Sequence, residues 1–471
     1  MKHHTNPKGS MMKIRSIRPF AAAAIALLCI SATSTKATSL IEVWQEAQNR
    51  DPEFIASRYE QMAGEKRRDQ GTSLWLPSLN LTALTGSMSY NTSTTGAQFY
   101  APSMGTINGA TFNTSINNGF VNRYAVGATQ SIYNLERLAQ SRQLNYSADA
   151  SDLGAQIASQ NLILLVAERY FEVLSAEEAV RLISKQELAI ENTRLQIEKR
   201  FKLGDASQTD MQEANERLET VKVRSLDAKN NLAIKKLALQ DLFGTAVKID
   251  KSKIGLNTGQ MTIASLETYV SKLKSQNIQL QMLSVQEKAA KEEAAKYEAI
   301  ASPKLDAVAQ TAKDSLNGSG NFGPANNTAT NNYLVGLQLS IPIYTGGYRS
   351  AKHEESLLLV EKTKAQYKQS EQNLERALRS IWQSLYTAKD KLNGLANAKK
   401  TGEARLNSTR LGYSNGSRTT MELLAAESDL IANEYMLYME KVNYLLNRLR
   451  LAALSGEISE QNLREANAYL Q

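Results

Sequence analysis

The chain's candidate reactive side chains cluster at two glycine-centred breaks in otherwise helix-forming sequence. RFKLGDASQTD, from Arg200 to Asp210, carries Thr209 and Asp210 behind Gly204. LGYSNGSRTTME, from Leu411 to Glu422, carries Tyr413, Arg418 and Glu422 around Gly412 and Gly416. The two align at one constant offset, which sets Gly204 on Gly416, Phe201 on Tyr413 and Asp210 on Glu422. Asp210, Glu422 and Arg418 have the types of an acid–base cluster, but the rest of a catalytic apparatus is missing from the sequence. His353 is the one histidine beyond the N-terminal 37 residues, and no Gly-rich phosphate loop, nucleophile elbow or HExxH pattern occurs. Residues placed in helix breaks favour a structural role. The expectation is a protein that is not an enzyme and needs no cofactor or metal.

The N-terminus bears on compartment and charge. Lys13, Arg15 and Arg18 precede an apolar run from Phe20 to Ile30, and small residues follow up to Ala37. Residues 1–37 therefore read as a secretory signal peptide. Six of the 55 basic residues and none of the 47 acidic ones lie in that leader, so most of the formal charge of +8 leaves with it. The near-neutral remainder gives no warrant for nucleic-acid binding. The single cysteine, Cys29, leaves too, which removes disulfides and Cys metal sites.

The elements that must position the two breaks are written twice. Leu40 to Ala83 aligns without a gap on Leu266 to Ala309, with Pro77 on Pro303, and YAVG at Tyr124 matches YLVG at Tyr333. This divides the exported chain into a first repeat, 38–260, and a second, 261–471. The copies differ in length between these points, in Tyr90–Arg123 and its counterpart Leu316–Asn332, which read as exposed polar loops. Flanking them, Ser78–Leu84 and Tyr333–Tyr344 alternate apolar with small or polar residues, the period of a β-strand.

Long helices should follow each strand pair. Leu135–Arg200 contains no proline, and its 66 residues would extend roughly 100 Å, about three times a bilayer's hydrocarbon core. Ile157, Leu164 and Phe171 form one sevenfold row and Val166, Val173 and Val180 another on the opposite face, so a neighbour is expected on each side. From Gly347 to Arg410, Leu374, Leu378, Ile381, Leu385, Ala388, Leu392 and Leu395 keep the alternating spacing of coiled-coil packing. Leu40–Leu74 and Ser207–Leu242 read as shorter helices that could stack end to end beside the long one.

The alternation fits either an edge hairpin on a soluble domain or strands of a membrane barrel with apolar side chains toward lipid, and for membrane-spanning strands counting sets an assembly. Two strand pairs give four strands per chain, too few to close a barrel, and open edges are not tolerated in lipid. Two chains give eight strands and a filled interior, whereas three give twelve and a lumen. A rival reading is a soluble periplasmic coiled-coil adaptor that bridges membranes without conducting. It explains the helices and the leader but leaves the strands unused.

The turns SIPIYTGGYRS (Ser340–Ser350) and TQSIYNLER (Thr129–Arg137), the break GYSNGSRT (Gly412–Thr419) and the ending NYLLNRLRLAALSG (Asn443–Gly456) resemble the TolC family of outer-membrane efflux proteins. The resemblance covers essentially the whole exported chain. It implies a mainly α protein with a β-barrel part: four transmembrane strands per chain, two tandem repeats, and a homotrimeric 12-stranded barrel in outer-membrane lipid that continues as an α-helical tunnel through the periplasm. It implies as partners a periplasmic adaptor (membrane fusion protein) and an inner-membrane transporter. It also implies a periplasmic gate of polar links between hairpins, at Thr209, Asp210, Tyr413 and Arg418. In the family two acidic residues often ring the pore constriction. This chain has Glu422 at the first position and Ala425 at the second, so one ring of carboxylates and weaker cation block are expected.

Overall fold

The computed structural model describes residues 38–470 apart from 246–248, 250–253, 257–260 and 322. The signal peptide expected at 1–37 lies outside the described residues. The chain begins with α1 (Leu40–Arg50) and α2 (Pro52–Ser73), then the strands β1 (Ser78–Ala101) and β2 (Gly105–Tyr133). Two long helical arms follow, α3 (Leu135–Lys202) and α4 (Gln208–Phe243). The order then recurs as α5 (Leu266–Gln276), α6 (Ile278–Ala299), β3 (Lys304–Gly320), β4 (Gly323–Ser340), α7 (Tyr348–Ser414) and α8 (Thr420–Leu454), with α9 (Glu460–Ala468) at the end.

One expected helix, Leu40–Leu74, is broken. Asp51, with φ −65° and ψ 118°, ends α1 and caps α2, its carboxylate accepting from the Phe54 N–H at 2.7 Å while Pro52 takes the first helical position. Proline lacks the N–H that would continue α1 but fits a helix start. Asn277 makes the same break between α5 and α6, at φ −65° and ψ 120°.

The four strands form a single antiparallel sheet in chain order, β1-β2-β3-β4, and among the described residues the outer edges of β1 and β4 are unpaired. The segments Tyr90–Arg123 and Leu316–Asn332, expected as loops, are mostly strand. β1 and β2 stay paired from Ser78↔Thr129 out to Ala101↔Gly105. Threonines and aromatics interleaved with the polar residues favour extended backbone, and the Phe99 and Phe112 rings meet edge-on at 5.8 Å. At the other end β4 stops at Ser340, short of the expected Tyr344, because Pro342 has no N–H to give a ladder.

Register separates the two faces of the sheet. Leu79, Ala128, Ala309 and Val335 lie in one cross-strand row, and Leu81, Val126, Thr311 and Tyr333 in the next. Leu79, Leu81, Tyr333 and Val335 are 73–84 % exposed. The opposite face carries Asn80, Gln310 and a two-pronged ion pair across β2 and β3, Arg123 Nε and Nη2 to Asp314 at 2.6 and 2.9 Å. Exposed apolar rows on this scale mark a surface covered by something other than water.

α3, 68 residues and about 100 Å long, packs against α2 and α6 towards the sheet and against α4 and α8 beyond. Its two expected seams are therefore both occupied. α6 lies between α3 and α7. Gly64 and Gly71 of α2 sit directly over Ser151 and Ser141 of α3, where a β-carbon would crowd the serines. The largest core lies mid-molecule, where Leu40, Val166, Phe171, Leu239, Leu378, Leu445 and Leu463 bring α1, α3, α4, α7, α8 and α9 together. Among the described residues no helix is long and apolar enough to cross a membrane.

Candidate functional site at the hairpin tips

The α3–α4 and α7–α8 hairpins end in turns built alike. Gly204 (φ +83°) and Gly416 (φ +74°) supply the left-handed residue each reversal needs. Each following helix opens on a capping box, in which N-cap hydroxyl and N3 carboxylate bond each other's backbone N–H. Ser207 Oγ accepts from Asp210 N at 3.1 Å, and Asp210 Oδ2 accepts from Ser207 N at 3.0 Å and from its hydroxyl at 2.7 Å. Thr419 Oγ1 accepts from Glu422 N at 3.2 Å, and Glu422 Oε2 accepts from Thr419 N at 2.8 Å.

The second carboxylate oxygens differ. Asp210 Oδ1 accepts a 2.8 Å hydrogen bond from the hydroxyl of Thr420, on the other hairpin. Glu422 Oε1 accepts from Arg418 Nη1 at 2.7 Å, within its own hairpin. The hydroxyl of Ser207, foremost, then its N–H, Thr420 and the charge of Arg200 hold Asp210 below the usual carboxylate range against some burial. The Thr419 N–H, then Arg418, does the same for Glu422.

Beneath these polar groups Ile197, Ala214, Leu406, Tyr413, Leu423, Ala426 and Leu430 form an apolar cluster drawn from all four helices. The Arg200 guanidinium lies 5.0 Å from the centroid of the Tyr413 ring, a cation–π arrangement. Of the residues expected at a gate, Asp210 and Tyr413 thus line the seam between the protomer's own hairpins. Thr209 is exposed on the first turn of α4, and Arg418 is turned to Glu422.

Sequence reasoning missed four participants: Thr420, Arg200, Arg410 and Glu427. Glu427 is 4 % exposed; Oε1 accepts from Arg410 Nη2 at 3.1 Å, and Oε2 has no partner among the described residues. Burial pushes this carboxyl above its ordinary range, with Arg410 opposing. The signal was present, since Glu427 falls between Leu423 and Leu430 at the four-and-three spacing of the apolar row.

Among the described residues no group of His, Cys, Asp and Glu can hold a metal ion. The arrangement can hold two helical hairpins together through a few polar bonds over a small apolar cluster. Residues 43–245 and 269–457 match the family described as outer membrane efflux protein. The chain is 25 % identical to outer membrane protein TolC of Vibrio cholerae, over 92 % of this chain and 94 % of that one. It is 23 % identical to the proteases secretion protein PrtF of Dickeya chrysanthemi, over 94 % of both. Among solved structures, the outer membrane protein VceC from Vibrio cholerae superposes with a TM-score of 0.68 at 16 % identity, over 88 % of this chain and 96 % of that one. The chain belongs to the outer membrane efflux protein family.

Proposed function

We propose that three copies of this chain form the outer-membrane exit duct of a tripartite efflux or type I secretion system. The single observation that carries the reading is the sheet: four strands with one exposed apolar face and two unpaired edges, continuous with helices about 100 Å long. Lipid covers that face, and β4 of one chain pairs with β1 of the next, so that twelve strands close a barrel. The helices continue as a tunnel through the periplasm, where an adaptor joins the duct to an inner-membrane transporter. Cargo passes without chemistry at the duct. The two halves of the chain, 38–260 and 261–471, are tandem repeats, and their recurring element order and matched capping boxes support this.

The hairpin tips are the periplasmic gate. Thr209, Asp210, Tyr413 and Arg418 belong to it, and Glu422 supplies one carboxylate per chain to the constriction. The Thr420–Asp210 bond supports the idea that the closed state is held partly within each protomer. The soluble adaptor reading is disfavoured by the exposed rows of Leu79, Leu81, Tyr333 and Val335. The test is insertion of purified protein into a planar lipid bilayer with single-channel recording: current through inserted trimers supports the duct, and a soluble protein that never inserts sinks it.

A further inference from the structure

Two turns above the tip, Ser428 makes every hydrogen bond a hydroxyl can make. It donates to the Leu424 carbonyl of its own helix at 3.0 Å. It accepts from Arg217 Nη2 of α4 at 2.6 Å and from Gln186 Nε2 of α3 at 3.0 Å. A serine oxygen has one proton and two lone pairs, so this one atom ties both helices of the first hairpin to the second. α4 and α8 both start at the tips, and Arg217–Ser428 lies seven and eight residues beyond Asp210–Thr420. The two links are rungs on one seam, roughly 11 Å apart along the helices.

The upper rung is flanked by apolar side chains. Gln186 is 5 % exposed, Ile190, Leu218, Val221 and Leu424 pack as an apolar cluster drawn from the same three helices, and Arg217 Nε is buried without a partner among the described residues. A guanidinium so placed depends on the bonds its other nitrogens make, because a buried donor stripped of its acceptor carries its full desolvation cost. The first repeat has Glu216 where the second has Ser428, so the contact is specific to the seam and not an echo of the duplicated helix.

We infer that Ser428 is a positioning residue of the gate, a second latch that keeps the α7–α8 hairpin seated on α3 and α4 after the tip bonds have gone. This rests on the duct reading. Opening the tip by swinging one hairpin from the other breaks the Asp210–Thr420 rung first and leaves the Ser428 rung as the next polar restraint along the seam, with the Lys185–Glu434 ion pair of α3 and α8 beyond it.

The test is single-channel conductance of purified trimers in planar bilayers, with thermal unfolding measured alongside. Ser428→Ala is expected to raise open-state occupancy about tenfold, the scale of a lost hydrogen bond to a charged group. Ser428→Thr, which keeps the hydroxyl, is expected to stay at wild-type conductance. Adding Arg217→Ala to Ser428→Ala is expected to give no further rise, because both remove one link. If Ser428→Ala gates like wild type while Asp210→Ala opens, the latch is wrong and the duct stands, whatever the melting temperatures. If inserted trimers of every variant, Asp210→Ala included, pass no current, the duct reading fails and the latch with it.

Discussion

Asp210 and Glu422 hold the same position in two copies of one capping box, and their free oxygens point to different partners: Asp210 takes the hydroxyl of Thr420 across the seam, Glu422 the guanidinium of Arg418 beside it. The first bond joins hairpins and the second does not. The proposed gate therefore draws on Asp210 and Thr420 in a way that the aligned residues alone do not indicate.

Replacing Thr420 with Val should loosen the tip while keeping the side chain's shape. Thr420 is 2 % exposed, and the lost bond to a carboxylate is worth about 1.5 to 3 kcal/mol. Bilayer recordings should show open-state occupancy at least about tenfold above wild type. An unchanged trace would remove this bond from the gate.

Arg418→Ser should act through Glu422. With its partner gone, the Glu422 carboxylate is left to the cap alone, and in the proposed trimer three such charges would face the constriction. Selectivity for cations over anions should rise, and block by multivalent cations should strengthen. Reversal potentials in a salt gradient, with and without a trivalent cation, measure both effects.

The tip should resist mild acid. Asp210 and Glu422 are held below the ordinary carboxylate range. Each stabilises its own helix cap, and Asp210 also the bond to Thr420 across the seam, fully above the ordinary value near 4, and that contribution is lost as pH falls through the lowered folded value. Conductance should stay flat from neutrality to about pH 4 and climb only below it. Asp210→Asn should start higher and respond less.

Glu427 has the opposite sign. Its carboxyl is held above its ordinary range by burial, so the folded chain binds a proton there more readily than the unfolded chain, and the ionised group costs stability as pH rises through that raised value. Glu427→Gln should therefore melt higher than wild type at neutral pH, with the gap closing as wild type protonates. Equal melting temperatures at neutral pH would contradict the assignment.

Tyr413 tests ring against hydroxyl. Tyr413→Ala empties a site among Ile197, Leu406 and Leu423 and should cost about 3 kcal/mol. Tyr413→Phe keeps the ring under Arg200 and should melt like wild type, so any rise in its conductance isolates the hydroxyl as a gate element.

What was legible in the sequence was what depends on local order. Gly204 and Gly416 mark turns because only glycine takes their φ cheaply, and S-x-x-D at Ser207 and T-x-x-E at Thr419, directly after those turns, have the spacing of capping boxes. Heptad rows gave the long helices and both seams of α3. The Asp51–Pro52 break was also written in the chain, and the continuous apolar pattern masked it. The strands proved longer because Thr, Tyr and Phe support extended backbone even where Gly and Asn suggest loops. Thr420, Ser428, Arg217 and Gln186 were out of reach for a different reason. Which residues meet across two long helices depends on their axial register and rotation, and no spacing within one helix encodes either.

Single-channel recording of the purified protein in a planar lipid bilayer separates a membrane duct from a soluble adaptor. A duct inserts stably as trimers and carries a small, steady ionic current that grows when the Asp210–Thr420 bond is removed. Protein that stays soluble without detergent, never inserts and passes no current with or without that bond would contradict it.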